Sequence, residues 1–249
     1  MMETNQQGPS LRDRCRFDIT AQRTTTERPT TTRSAGGHLR RVGVALAVVL
    51  GVLGASSIAA PAVSAEANNQ FLRSSSLEIA EAARTAIEAH EMWEHSGRVT
   101  VYLEYLEQLG GVAQLAAADL ALDAGELEQA WATTEPRKQR ALLTALTQLG
   151  VPYESMASKP GEGFDCSGLM LYVWSQAGVQ LPRSSGDQIN AVTPLSRDEA
   201  QAGDFAYYPG HMMMYLGVGD AIVHSPNSGN LVEIRFVSRS LRYGDPLSA

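Results

Sequence analysis

One cysteine and two histidines carry the chemistry that this chain offers. Cys166 lies in Phe164-Asp165-Cys166-Ser167-Gly168-Leu169, and His211 and His224 follow in a stretch of short apolar runs. A thiol with an imidazole to take its proton, and a second imidazole to orient the first, is the composition of a nucleophile, base and orienter for acyl transfer. Each residue also has a plainer reading: a free cysteine serves equally as a small buried hydrophobe, and a lone histidine as a half-buried strand residue. What raises Cys166 above that reading is its compartment. The only other cysteine, Cys15, falls in the leader, so export would leave one unpaired thiol where secreted chains usually pair theirs.

The elements that must position these residues can be read from pattern. Asp165 is placed to cap a helix from Cys166 to Ala177 that stops at Gly178, which puts the thiol in the first helical turn. Unpaired N–H groups and the positive end of the helix dipole favour a thiolate there, and the same N–H groups suit a developing oxyanion. Downstream, 203–208, 211–216, 221–224 and 231–236 read as four short strands of a meander, separated by Gly, Pro and Asn turns. If Gly217 to Asp220 form an even-length turn, paired residue numbers sum to an odd value. His211 and His224 then share a face as diagonal neighbours, whereas an odd-length turn separates them.

Upstream, residues 66–134 read as short helices packed as a hairpin. Leu77, Ala80, Ala83, Ile87 and His90 or Met92 recur at helical spacing, and a second apolar pattern from Val101 to Leu109 precedes Gly110-Gly111. A further helix is expected over 125–131, then a cap at Thr134-Glu135-Pro136 and an amphipathic helix from Arg140 to Leu149. His90 and His95 lack metal-ligand spacing and read as part of a solvated face; no metal is expected.

The amino-terminal part reads as a targeting segment. Eight arginines against four acids in residues 1–41 give a disordered basic leader, and 42–65 a signal-peptide hydrophobic region, uncharged from Val42 to Ala60, with Val63-Ser64-Ala65 suited to cleavage near Glu66. The competing reading is a retained membrane anchor. Either places the remainder outside the cytoplasm, in the cell wall or secreted. Of 20 basic and 27 acidic residues, eight and four lie in the leader, so residues 66–249 hold 12 and 23, a net charge of −11. Nucleic acid is an unsuitable partner for such a surface.

Phe164-Asp165-Cys166-Ser167-Gly168-Leu169, Pro182-Arg183-Ser184-Ser185, Ala202-Gly203-Asp204-Phe205 and His211-Met212-Met213-Met214-Tyr215-Leu216-Gly217 resemble, in order, motifs of the NlpC/P60 cell-wall cysteine peptidases. The resemblance covers roughly 137–240. It implies an α+β, papain-like catalytic domain over 137–249, with helices on a small antiparallel sheet, preceded by the helical segment. It further implies cleavage of peptidoglycan stem peptides, typically between D-γ-glutamyl and a diamino acid, without a cofactor. By the same resemblance Cys166 attacks, His211 is the base, His224 orients it, Tyr153 lies near the oxyanion, and Asp165, Ser167 and Ser184 border the cleft. Amidase or transpeptidase chemistry on the same scaffold, and a non-catalytic wall scaffold, are the alternatives. Residues 66–134 are expected to restrain or position the catalytic part. The chain departs from the family pattern at Glu154 to Lys159 and at Met213, where a small residue is usual.

Overall fold

A computed structural model describes residues 65–249, with side chains from residue 74 onward. The basic leader, Cys15 and the hydrophobic stretch through residue 64 lie outside the described residues. No described helix is long and apolar enough to cross a membrane.

Two long helices, α1 (Ala65–Ser96) and α2 (Val99–Leu120), pack against each other as a hairpin. Gly97, at φ 61°, makes the tight reversal between them, a conformation that costs glycine little. They are longer than the short helices expected, because α2 continues through Gly110-Gly111. The cost of two interior glycines is offset by burial of Tyr105, Leu109, Val112 and Ala116 on one side. Of the stripe expected on α1, Ala80, Ala83 and His90 are buried and Ile87 packs on the core, with Ile79 and Ala86 added to them, whereas Leu77 and Met92 are exposed. His90, 1% exposed, is therefore not on a solvated face.

The next two helices are built by their caps. The Asp123 carboxylate accepts the Glu126 N–H at the start of α3 (Ala124–Ala132). Glu135 does the same for Arg137 and Lys138 at the start of α4 (Pro136–Leu146), whose Pro136 fits the first turn. α4 therefore starts at the cap that Thr134-Glu135-Pro136 marked, runs through the Arg140 at which the amphipathic pattern began, and ends at Leu146 rather than Leu149. Its residues 138, 139 and 141–146 are all buried, and it packs on both α1 and α5.

The remaining elements are β1 (Ser158–Lys159), β2 (Gly163–Phe164), α5 (Cys166–Gln176), α6 (Ser185–Asn190) and the strands β3 (Thr193–Leu195), β4 (Phe205–Tyr208), β5 (His211–Tyr215), β6 (Ala221–His224), β7 (Glu233–Phe236) and β8 (Arg242–Asp245). β3 to β8 form one antiparallel sheet in the order β3-β8-β4-β5-β6-β7. The β4 to β7 meander is as read from the sequence. β3 and β8 were not expected, since Pro194 and Gly244 weaken any local strand signal.

One apolar core runs from α1 through α5 to one face of the sheet, and includes Tyr105, Trp131, Leu142, Trp174, Met212 and Met214. The indole of Trp131 donates to the Leu216 carbonyl (2.7 Å), and buried Lys138 reaches Asp204 at 2.6 Å and Asp245 at 3.2 Å. The helices and the sheet thus share an interior and its polar ties. A second, smaller cluster covers the other face of the sheet with Ala206, Met213, Tyr215, Ile222 and Tyr243.

Candidate active site

The cysteine is positioned by a local cap. Asp165 precedes α5 with extended backbone, and its Oδ1 accepts the Gly168 N–H at 2.7 Å. Its Oδ2 accepts the Met156 N–H at 2.9 Å, which ties the preceding loop to the helix start. Gly168 is required there: a Cβ would collide with the Ala157 carbonyl oxygen. Cys166 is the first helical residue, unpaired and partly exposed. In this first turn the Gly168 N–H is taken by the cap, and those of Cys166 and Ser167 have no carbonyl one turn earlier to bind.

Around the cap lies a residue that sequence reading quoted within a motif without assigning it a role. The guanidinium of Arg183 donates to both oxygens of Asp165, at 2.6 and 3.1 Å, and to the hydroxyl of Ser167 at 2.9 Å. Burial alone would raise the Asp165 carboxyl, but Arg183 and the two N–H donors hold it below the usual carboxylate range. Asp165 and Ser167 are therefore bound within the protein itself. Arg183 could have been sought as the cation that a buried aspartate beside a cap requires. Ser184 is also engaged: its hydroxyl accepts the Asp187 N–H at 3.1 Å and donates to the Asp187 carboxylate at 2.6 Å, capping α6. Tyr153 is half-buried, and burial first, then the nearby Asp165 and Cys166, push its phenol up. Tyr153, Asp165, Cys166 and Arg183 thus interact as one polar group, whereas Ser184 is turned to its own helix.

The histidines come from sheet register. β5 and β6 pair Met214 with Val223 and Tyr215 with Ile222, so paired numbers sum to an odd value. The Leu216 N–H closes the hairpin on the Ala221 carbonyl, leaving the four residues 217–220 as the loop. His211 and His224 consequently share a face as diagonal neighbours, and His211 Nε2 lies 2.7 Å from His224 Nδ1. Their rings meet edge to face with centroids 5.0 Å apart. Both are buried, at 7% and 5% exposed. Burial, reinforced by His224 and Arg239, pushes the His211 imidazole down to about 4, so it is neutral at pH 7. Met213 sits on this same face, fully buried in the smaller apolar cluster.

One hydrogen bond fastens the cysteine segment to the histidine strand. The Ser225 hydroxyl donates to the Phe164 carbonyl at 2.7 Å, and both partners are buried. Phe164 is two residues before Cys166 and Ser225 is next to His224. Two residues of chain span at most about 7 Å, so this bond holds the two segments side by side. α5 itself packs on β5. A second residue that sequence reading missed is Glu233, directly opposite His224 across β6 and β7, with its Oε1 3.3 Å from His224 Nε2.

The chain is similar to known proteins. The NlpC/P60 family is matched over residues 150–243. The chain is 34% identical over 139 residues to the peptidoglycan endopeptidase RipB of Mycobacterium tuberculosis, covering 49% of this chain and 57% of that one. It is 37% identical over 101 residues to the gamma-D-glutamyl-L-lysine dipeptidyl-peptidase of Bacillus subtilis, covering 37% and 33%. Among solved structures, the P60 domain of an M. avium subspecies paratuberculosis antigen is 33% identical, covering 43% of this chain and 93% of that one, with a TM-score of 0.39. The chain spans about a quarter to three fifths of the length of the curated relatives it matches. Helices on a small antiparallel sheet, the ordered motifs and the family match together make residues 150–243 an NlpC/P60 domain.

Proposed function

We propose that this protein is an exported cysteine endopeptidase that hydrolyses peptidoglycan stem peptides, at the bond between D-γ-glutamyl and a diamino acid. The observations that support this reading are a partly exposed thiol at the start of α5, the Ser225–Phe164 bond that ties its segment to the end of β6, and a hydrogen-bonded histidine pair whose first member is neutral at pH 7. The activities for which the relatives are named, peptidoglycan endopeptidase and gamma-D-glutamyl-L-lysine dipeptidyl-peptidase, support the substrate class. The basic leader and uncharged stretch support export to the wall.

In this mechanism the Cys166 sulfur attacks the scissile carbonyl carbon as the thiol proton passes to His211. The carbonyl oxygen takes up negative charge, met by N–H groups of the first turn of α5 and the Tyr153 hydroxyl. The C–N bond breaks, and His211 returns the proton to the leaving amine. Water, giving a proton to His211, then attacks the thioester, which releases the acid and restores the thiol. His224 holds the imidazole of His211 in place throughout. Asp165 and Arg183 fix the helix start rather than react.

Digestion of defined muropeptides, read by product mass, tests the proposal. A new free diamino-acid amine is expected from the native protein, and Cys166→Ala should lower turnover by at least about a thousandfold while leaving thermal stability unchanged. A released lactoyl-peptide would instead mark an amidase, a product joined to a second amine would mark a transpeptidase, and undiminished turnover by Cys166→Ala would end the proposal.

A further inference from the structure

We infer that Glu233 is a positioning residue that sets the proton order of the histidine pair, so that the basic nitrogen of His211 is Nδ1. The inference rests on the proposed thiol chemistry of Cys166 and His211. It is carried by a chain of three side chains on one sheet face: Glu233 Oε1, 3.3 Å from His224 Nε2, and His224 Nδ1, 2.7 Å from His211 Nε2. The chain follows from register, since His224 and Glu233 are directly paired across β6 and β7.

With one proton on each ring, two proton orders fit the bond between the two imidazoles. In one, His224 carries its proton on Nε2 and donates to Glu233, so its Nδ1 must accept the Nε2–H of His211. His211 is then left with a lone pair on Nδ1. In the other, His224 carries its proton on Nδ1 and donates to His211, which must hold its own proton on Nδ1. That order leaves His211 no basic nitrogen outside the pair, and sets a His224 lone pair against a carboxylate oxygen. A carboxylate accepts and does not donate, so Glu233 selects the first order. Arg235, 3.4 Å from the same oxygen on the solvent side, holds the carboxylate in place. The His224 N–H, more than Arg235, holds the Glu233 carboxyl below its usual range, against burial. When Nδ1 of His211 takes the thiol proton, the imidazolium is stabilised through His224 by the negative charge beyond it.

The Glu233 side chain is 40% exposed, so water softens its effect and a partial loss is expected rather than an abolished reaction. In the full chain, imidazole nitrogen NMR at pH 7 should show His211 and His224 both protonated on Nε2. Glu233→Leu should move both rings toward the Nδ1–H form and lower kcat about ten- to a hundredfold with KM within about twofold. Glu233→Gln, which can still accept through its amide oxygen, should retain more activity than Glu233→Leu. Unchanged tautomers in Glu233→Leu, or shifted tautomers with unchanged kcat, would overturn the inference. The NMR result does not depend on turnover, so it stands apart from the Cys166→Ala test of the hydrolase reading.

Discussion

The helical hairpin and the strand meander each bury histidine, and they do so differently. On α1, His90 is 1% exposed between the rings of Trp93 and Tyr105, at centroid distances of 5.4 and 4.9 Å. Neither of its nitrogens makes a hydrogen bond of full geometry: the Glu94 carboxylate stands 3.5 Å from Nδ1, and the Pro136 backbone acts on the ring only enough to offset part of the effect of burial. In the sheet, His211 and His224 are buried almost as deeply but joined to each other and to Glu233. Burial pushes both His90 and His211 down, toward the neutral ring. Only in the sheet does a partner decide which nitrogen holds the proton. Desolvation makes an imidazole neutral, whereas a directional acceptor chain makes it a base with a direction.

Substitution should separate the two most sharply. His211→Ala is expected to lower kcat/KM on a defined muropeptide by at least about a thousandfold, and His90→Phe to leave it within about twofold. A large loss in His90→Phe would break the contrast. His224→Ala should fall between them, near a hundredfold, because it removes the orienting partner and leaves the base.

Acid pH should sharpen the contrast further. His211 must be neutral to accept a proton, so kcat/KM should keep its activity well below pH 6 and fall on an acid limb near 4. Stability follows a related course. Both histidines have folded values below the unfolded one of about 6.5, so the unfolded chain binds more protons between the two values. Their contribution is complete above about pH 6.5 and is lost as pH falls, ending for His211 at about 4. Glu94 and Glu91 raise the His90 value and Arg140 lowers it, but desolvation dominates. The smallest effect should be that of His90→Phe on stability at pH 7, within about 1 kcal/mol, because an unpaired buried ring is exchanged for an apolar one. Thermal melts at pH 5 and 7 should show less acid sensitivity in that variant than in the native chain.

The difference between the regions also governed what could be read from sequence. The thiol's placement was legible because a cap acts over three residues, Asp165 to Gly168. The histidine pair was legible because strand parity is arithmetic once the loop length is known. Glu233 was not, since its pairing with His224 depends on register across the eight-residue connection 225–232. Arg183 reaches Asp165 over 18 residues, and no local pattern signals it. β3 and β8 are brought together from 193–195 and 242–245 by tertiary packing alone. In α1 the middle of the apolar stripe, Ala80 and Ala83, was legible, while the bulk of Leu77 and Met92 drew in two residues that face water. His90 fitted that stripe by spacing but was read as solvated because of the charged residues around it.

The Trp131 indole bound to the Leu216 carbonyl has a consequence for anyone who would shorten this chain. Cutting before residue 137 would take the Trp131 donor from the Leu216 carbonyl and uncover the side of α4 that packs on α1, while α5 and α6 stay on the sheet. A fragment cut there would lose an apolar neighbour along with any brake, so its turnover has to be read beside its melting temperature, and residues 65–249 should melt in one cooperative step.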